Sequence, residues 1–539
     1  MKRALPVLLA MLVVAGATTA TQRVSDGSDV RLVLLIAVDQ LRYDYLTRFR
    51  SEFTGGFRRL LDQGAVFTDA NLEHYPTVTA VGHSTMLSGA TPSVSGIIGN
   101  DWFDRDLGRS VQSVTDDAVQ PVGAGAGAAS PRRLLVTTIG DELKLTSGAP
   151  RGSPSAPRAI GISIKDRSAI LPVGRSADAA YWMESASGRF VSSTYYMKDA
   201  PAWVGAFNDR RALGALAGRA WTALTAPSTV LRQLPAEQGA PLHDAALASP
   251  FGNDLLLAFA SEALSNEQLG QRGVTDLLSV SFSSNDLVGH AHGPESAQVH
   301  DITVRTDRVI GQLLERIDTA VGLRHVIVAL TADHGVAPVP EQLAERSLPG
   351  GRISRKELFA PMEAALVSRF GAGQWVLGTA GSSPYLNYAL MSQLQIDPAE
   401  ARRTAAEALM AVPHVARVYT RDQLLRGDIA TDRVGQRVLR GFNAQRSGDL
   451  EVVLEPFWIS GALGTTHGSP YNYDTHIPLV LMGPRVKAGL YTDHVALNDL
   501  APTLATLLEV ETPSGSSGRV LTEALLPRGA QRAQTSPAR

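Results

Sequence analysis

The 539-residue chain contains no cysteine. That excludes disulfides, thiol nucleophiles, thiolate metal sites and any active-site group made by modifying cysteine. Charge of one sign is also scarce: 50 Lys and Arg against 52 Asp and Glu leave a net charge of -2. Nothing in that balance calls for nucleic acid, and no nucleic-acid partner is expected. Long apolar runs are missing except at the N-terminus. There Lys2 and Arg3 precede an apolar stretch from Ala4 to Ala15, short of the roughly 20 residues a bilayer span needs. A positive start, a short apolar segment and then small residues read as a signal peptide over residues 1–20. Ala15-Gly16-Ala17 and Thr18-Thr19-Ala20 are the cleavage candidates. The protein is therefore expected to be exported, periplasmic or secreted, and to touch the membrane only through that signal. A monomer is expected, and no internal repeat is found.

What is present is an alternation of strands and helices. Four apolar, β-branched runs read as buried strands: "RLVLLIAV" before Asp39, "TDLLSVSF" before Asp286, "HVIVALT" before Asp333, and "IPLVLMG" from Ile477. "RAIGISIKDRSAIL" supplies another, ending at Lys165. Helical spacing lies between them, as from His300 to Gly322. This pattern predicts an α/β fold with a mostly parallel central sheet, helices on both faces and inserted lobes. The catalytic domain is expected over residues 30–527, with insertions at about 101–210 and 340–460, and a flexible tail at 528–539.

Three of the strands deliver an aspartate just past their end, at the edge where open parallel sheets bind ligands. Asp39, Asp286 with His290, Asp333 with His334, and His467 then form a set of oxygen and nitrogen donors. Without thiolates, Asp and His are the donors that suit zinc. The four-residue step from Asp286 to His290 puts both on one face of a helical turn. His292 is read as lining substrate or supporting the ligands. Two ions with three or four protein ligands each would use this set. Paired ions about 4 Å apart are the usual device for in-line displacement at phosphorus.

A hydroxyl nucleophile is sought in "HYPTVTAVGHSTMLSGATPSVSGIIGN", residues 74–100. A helix is predicted from about Thr79 to Leu87, with Ser88-Gly89 as its stop. Its first turn has free N–H groups and the positive end of the dipole, which favour an anion. Thr77 is the better N-cap, so its hydroxyl is expected to serve the backbone. Thr79 is then free to reach a metal, while Ser84, Thr85 and Ser88 are expected to pack or cap.

Together these residues resemble the alkaline phosphatase superfamily, and most the phosphate-irrepressible (PafA-type) alkaline phosphatases with a threonine nucleophile. The resemblance runs from about Arg31 to Leu526 and rests on Asp39, Thr79, Asn100, Lys165 with Arg167, Asp286 with His290, Asp333 with His334, and His467. It implies two Zn2+ per chain. One would be held by Asp286, His290 and His467, the other by Asp39, Asp333, His334 and the Thr79 oxygen. It implies attack by Thr79 on a phosphate monoester, a phosphothreonine intermediate, and phosphate oxygens held by Asn100, Lys165 and Arg167. Charge agrees: three aspartates and a threonine alkoxide would cancel two Zn2+, so Lys165 and Arg167 supply the field for a phosphate dianion. The rival of the same superfamily is a phosphodiesterase or nucleotide pyrophosphatase, whose substrate carries less charge and needs a pocket more than a Lys/Arg pair. A sulfatase is disfavoured without cysteine. A serine esterase is disfavoured because "GHSTM" lacks the second glycine of a nucleophile elbow.

Overall fold

The strand β1, Leu32–Val38, is buried along its whole length. A run of Leu, Val, Ile and Ala with no polar alternation suits a strand covered on both faces. Each Leu, Val or Ile side chain removed from water contributes roughly 1.5–3 kcal/mol before entropy is counted. The computed structural model describes residues 30–527 apart from 124, 126 and 127. The expected signal peptide and C-terminal tail lie outside the described residues.

Nine further strands complete a sheet of ten: β2 (Ala65–Asn71), β3 (Pro121–Val122), β4 (Ala159–Ser163), β5 (Ala179–Glu184), β6 (Arg189–Ser193), β7 (Asp276–Phe282), β8 (Val326–Thr331), β9 (Leu479–Met482) and β10 (Gly489–Ala496). Their order is β10-β2-β9-β8-β1-β7-β4-β5-β6-β3. The central strands β8, β1, β7, β4 and β5 run parallel. β9, the "IPLVLMG" run, lies antiparallel to both β8 and β2. The fold is thus α/β with a mostly parallel, mixed sheet. Residues 159–193, inside the span expected as an insertion at 101–210, instead supply three of its strands.

Helices pack in two groups. Gly56–Gln63 (α1) and a helix at Pro250–Asn266 lie against the long helix Ala297–Ala320. That long helix starts ahead of the expected His300, because the Ser296 side chain accepts a hydrogen bond from Val299 N–H and caps it. The second group gathers round Thr79–Ser88 (α2), with Asp166–Ile170 (α3) and Leu500–Leu508 against it. Among the described residues, no helix is long and apolar enough to cross a membrane.

Residues 340–460 make small paired strands apart from the main sheet: Gly351–Arg352 with Trp458–Ile459, Val376–Ala380 with Ser383–Leu386, and Val415–Thr420 with Leu450–Leu454. With the helices Arg355–Phe370 and Pro398–Met410 they enclose a separate apolar cluster that includes Met362, Leu366, Trp375, Leu409 and Leu450.

Candidate active site

The parallel register decides where the carboxylates meet. Val38 is level with Phe282, and Ala37 with Thr331. Asp39 and Asp333 therefore emerge just past adjacent strand ends. Asp286 follows in the first turn of the next helix, α4 (Ser284–His292). Two groups result, Asp39–Asp333–His334 and Asp286–His290–His467, each with its donor atoms within 4.8 Å of one another.

Two glycines let the elements close on each other. A Cβ at Gly82 of α2 would lie 2.2 Å from the Asp333 carbonyl oxygen. A Cβ at Gly289 of α4 would lie 1.7 Å from Gln40 Oε1. Gln40, with φ 66°, turns the chain after Asp39. Its Nε2 donates to Asp286 Oδ1 at 2.6 Å, and its backbone N–H donates to Asp333 Oδ1 at 3.2 Å. One residue thus ties the two groups together.

The histidines are presented in one tautomer. His290 Nδ1 donates to Thr465 O at 2.8 Å, His334 Nδ1 to Gly335 O at 2.9 Å, and His467 Nδ1 to Thr77 O at 2.8 Å. A carbonyl only accepts, so the neutral ring keeps its lone pair on Nε2. Those nitrogens face the carboxylates: His290 to Asp286 at 3.2 Å, His334 to Asp333 at 3.2 Å, and His467 to Asp286 at 3.7 Å. Burial holds His334 and His467 below the usual histidine range. Burial also works against charge on His290, but Asp286 outweighs it and raises that ring.

The carboxylates are as crowded as the rings. Burial, and then the Asp333 charge, push Asp39 well above the usual carboxylate range. Burial acts likewise on Asp286 and Asp333. There Lys165 and His290, or His334 and His83, outweigh it and hold them down. Asp39 Oδ1 and Asp333 Oδ2 are buried without a hydrogen bond. Carboxylate oxygens without a hydrogen bond and imidazole lone pairs converging in a buried site fit divalent cations bound by oxygen and nitrogen. The arrangement is consistent with a binuclear centre.

Thr79 is the first residue of α2 and is 1% exposed, with Oγ1 3.3 Å from His334 Nε2. The residue before it, Val78, gives the helix no side-chain cap. Thr77 is not that cap either. Its hydroxyl donates to Ser469 O at 2.8 Å, in the loop that carries His467. Asn100 does the capping from afar: Oδ1 accepts from Ala80 N–H at 2.9 Å, which leaves its Nδ2 free to donate. The later hydroxyls behave as expected of packed or capping residues. Ser84 and Thr85 bond back to Val81 O, and Ser88 to Ser84 O.

Lys165 and Arg167 take different positions. Lys165 Nζ bridges the two groups, 2.7 Å from Asp39 Oδ2 and 2.6 Å from Asp286 Oδ2. Arg167, on the five-residue α3, has a buried Nε without a hydrogen-bond partner. It lines a polar cavity of about 350 Å³ with Asn100, Asp101, Ser113 and Asp166. His292 belongs to neither metal group and lines neither cavity at the site. It is half-buried near Arg232, which together with burial lowers it. The substrate-lining position expected for it is not what the structure shows, because α4 turns it away from His290.

Gln40, His83 and Asp474 were not foreseen from sequence. His83, one helical turn after Thr79, donates from Nδ1 to Thr79 O at 2.9 Å with Asp333 Oδ2 3.2 Å away, and its Nε2 lies 2.8 Å from Ser281 Oγ. Its four-residue spacing from Thr79 was the available signal. Asp474 Oδ2 accepts from Gly468 N–H and Ser469 N–H, fixing the loop after His467. Nothing local in the sequence marks that contact.

An open sheet with two Asp/His groups and a buried hydroxyl at its carboxyl edge defines a hydrolase of the alkaline phosphatase superfamily. The chain belongs to the type I phosphodiesterase / nucleotide pyrophosphatase family within it, whose family model matches residues 33–470. It is 33% identical to the alkaline phosphatase PafA of Elizabethkingia meningoseptica, over 96% of this chain and 98% of that one. It is 35% identical to a protein of Myroides odoratus named a calcium-transporting ATPase, over 92% of this chain and 94% of that one. The crystal structure of wild-type PafA superimposes with a TM-score of 0.85 at 32% identity, over 92% of this chain and 99% of that one.

Proposed function

We propose that the protein is a zinc-dependent alkaline phosphatase that hydrolyses small phosphate monoesters through a phosphothreonine intermediate. The observation that carries this reading is the Thr79 hydroxyl at a helix start, 3.3 Å from His334 in a group of buried metal donors. Asp286, His290 and His467 would hold one Zn2+, and Asp39, Asp333 and His334, with the Thr79 oxygen, the other. When bound, the two ions supply positive charge that lowers the hydroxyl pKa and stabilises the phosphoryl group.

The protein's own residues do the rest. Thr79 Oγ attacks phosphorus as the ester oxygen leaves, and water then attacks the same phosphorus to release phosphate and restore the hydroxyl. The N-terminus of α2 favours negative charge beside Thr79. Asn100 Nδ2, Lys165 and the unpartnered Arg167 Nε offer donors to the non-bridging oxygens. Gln40 orients Asp286 and Asp333 through its two donated hydrogen bonds, and His83, bonded to the Thr79 carbonyl, packs against Asp333. The expected signal peptide makes an exported, periplasmic or secreted enzyme the matching setting.

A phosphodiesterase is the second reading, favoured by the description of the matching family. Paired kinetics on a phosphate monoester and a diester, with zinc content measured on the same sample, tests both. The expected result is two zinc ions per chain and higher kcat/KM on the monoester. Preference for the diester would select the second reading. ATP belongs in the panel too, since release of its terminal phosphate is the same displacement at phosphorus.

A further inference from the structure

The site opens on two cavities that share Asn100 and Asp101. One is the small polar cavity beside Arg167. The other is a cleft of about 790 Å³ that runs from His467 to the wall built by residues 340–460. Asn100 lies where the cavities meet and Arg167 lines the small one, so a phosphate held between them leaves the larger cleft for the rest of an ester. Its lining is mixed. Val78, Leu358, Phe359 and Leu454 give it an apolar surface, and Glu451 sets a carboxylate in that surface.

Glu451 is 9% exposed and sits on the strand Leu450–Leu454. Among the described residues, only Ser383 Oγ donates to it, at 3.0 Å, and Ser383 also donates to Leu450 O at 2.8 Å. Among those residues no cation pairs with it. A buried carboxylate served by one shared hydroxyl is under-satisfied. Here it faces a cavity wide enough for a ligand to complete its hydrogen bonding.

We propose that this cleft is a leaving-group pocket in which Glu451 accepts a hydrogen bond from a hydroxyl or amine of the ester, while the apolar wall covers its carbon face. The inference rests on the phosphomonoesterase reading. It assigns the substrate class: esters of ring-sized alcohols that carry hydrogen-bond donors, rather than small or donor-free alkyl phosphates. Burial pushes Glu451 up to about 7, so under alkaline conditions it is a carboxylate that can only accept.

The test compares glucose 6-phosphate with cyclohexylmethyl phosphate, which keeps the ring and the primary ester but lacks the hydroxyls. The readout is the ratio of their kcat/KM values. In the zinc-loaded wild-type protein the ratio should favour the sugar. In Glu451→Leu it should fall about tenfold, the loss of one hydrogen bond to a charged acceptor. Glu451→Gln keeps an acceptor oxygen and the shape, so its ratio should fall between the two. Melting temperatures of both variants show whether either has lost its fold. A ratio unchanged within about twofold in both folded variants overturns the pocket and leaves the phosphatase reading standing. If the wild type turns over neither ester, it is the phosphatase reading that fails.

Discussion

The sheet edge and the 340–460 segment meet across one cleft and are built on different principles. At the sheet edge most candidate ligands are fixed by packing, with His290 the more exposed exception. Asp39, Asp333 and His334 are fully buried, and their positions follow from a parallel register that cannot slip without turning whole strands inside out. The 340–460 side consists of short paired strands and helices, such as Arg355–Phe370 and Pro398–Met410, round its own apolar cluster, with one under-satisfied carboxylate toward the cleft. A rigid edge suits chemistry at phosphorus, where catalysis is mostly positioning and charge. A wall with its own core can change its lining without disturbing the ligands. The comparison therefore assigns reactivity to one side and selectivity to the other.

The sharpest way to break that assignment is Thr79→Ala. It removes the proposed nucleophile and leaves all six Asp and His donors in place. Turnover should drop on the order of 10³-fold or more, as when a nucleophile is deleted, while two zinc ions remain bound by mass spectrometry. Wild-type turnover in the variant would end the assignment of Thr79.

Glu451 tests the other side through pH. A carboxyl raised to about 7 by burial is protonated in the native state at pH values where the unfolded chain has already ionised. Its contribution to stability is therefore fully present below the ordinary Glu value and is lost as pH rises through about 7. A raised value of this size corresponds to roughly 3 kcal/mol across that window. The melting temperature of wild type should fall from pH 5 to pH 8 more steeply than that of Glu451→Gln. Parallel curves would mean that the carboxylate is not held in the environment described.

Lys165→Ala and Arg167→Ala return to the sheet edge with a smaller effect. Each removes one proposed charge-assisted contact to phosphate, worth ~1.5–3 kcal/mol, or roughly tenfold to a hundredfold in kcat/KM. The loss should be larger on a monoester dianion than on a diester. Lys165 also bridges Asp39 and Asp286, so its variant should alter zinc affinity while that of Arg167 should not. Equal losses on both ester classes would undercut the charge argument.

How much was legible beforehand divides along the same line. Asp39, Asp286 and Asp333 stood out because each follows an apolar run, and a parallel sheet brings such ends together. Thr79 stood out because it starts a helix. The contacts that complete the site are long-range and carry no local pattern: Asn100 capping Ala80, Thr77 bonding to Ser469, and Gln40 linking the two groups. Thr77 was misplaced for that reason. A cap preference says that a hydroxyl will bond to a backbone, and tertiary packing decided which one. Strand β4 was legible in "RAIGIS", but β5 and β6 were hidden within an expected insertion because they are short and interrupted by a polar turn. Glu451 had no signal at all, since an acidic residue in a strand is ordinarily solvated.

The smallest effect comes from Asp397, far from any ligand. Its side chain accepts from Ala399 N–H and caps the helix Pro398–Met410 on the 340–460 side. Asp397→Ala should cost about 1 kcal/mol, the usual loss for a cap. If that side is held by its own core, the loss should appear as faster amide exchange across residues 398–410. Zinc content and the kcat for an unsubstituted aryl phosphate should then change less than twofold. If exchange instead rises at the ends of β1, β7 and β8, the two sides unfold as one unit. Reactivity and selectivity could then not vary independently, because weakening the wall would also loosen the strand ends that place the metal donors.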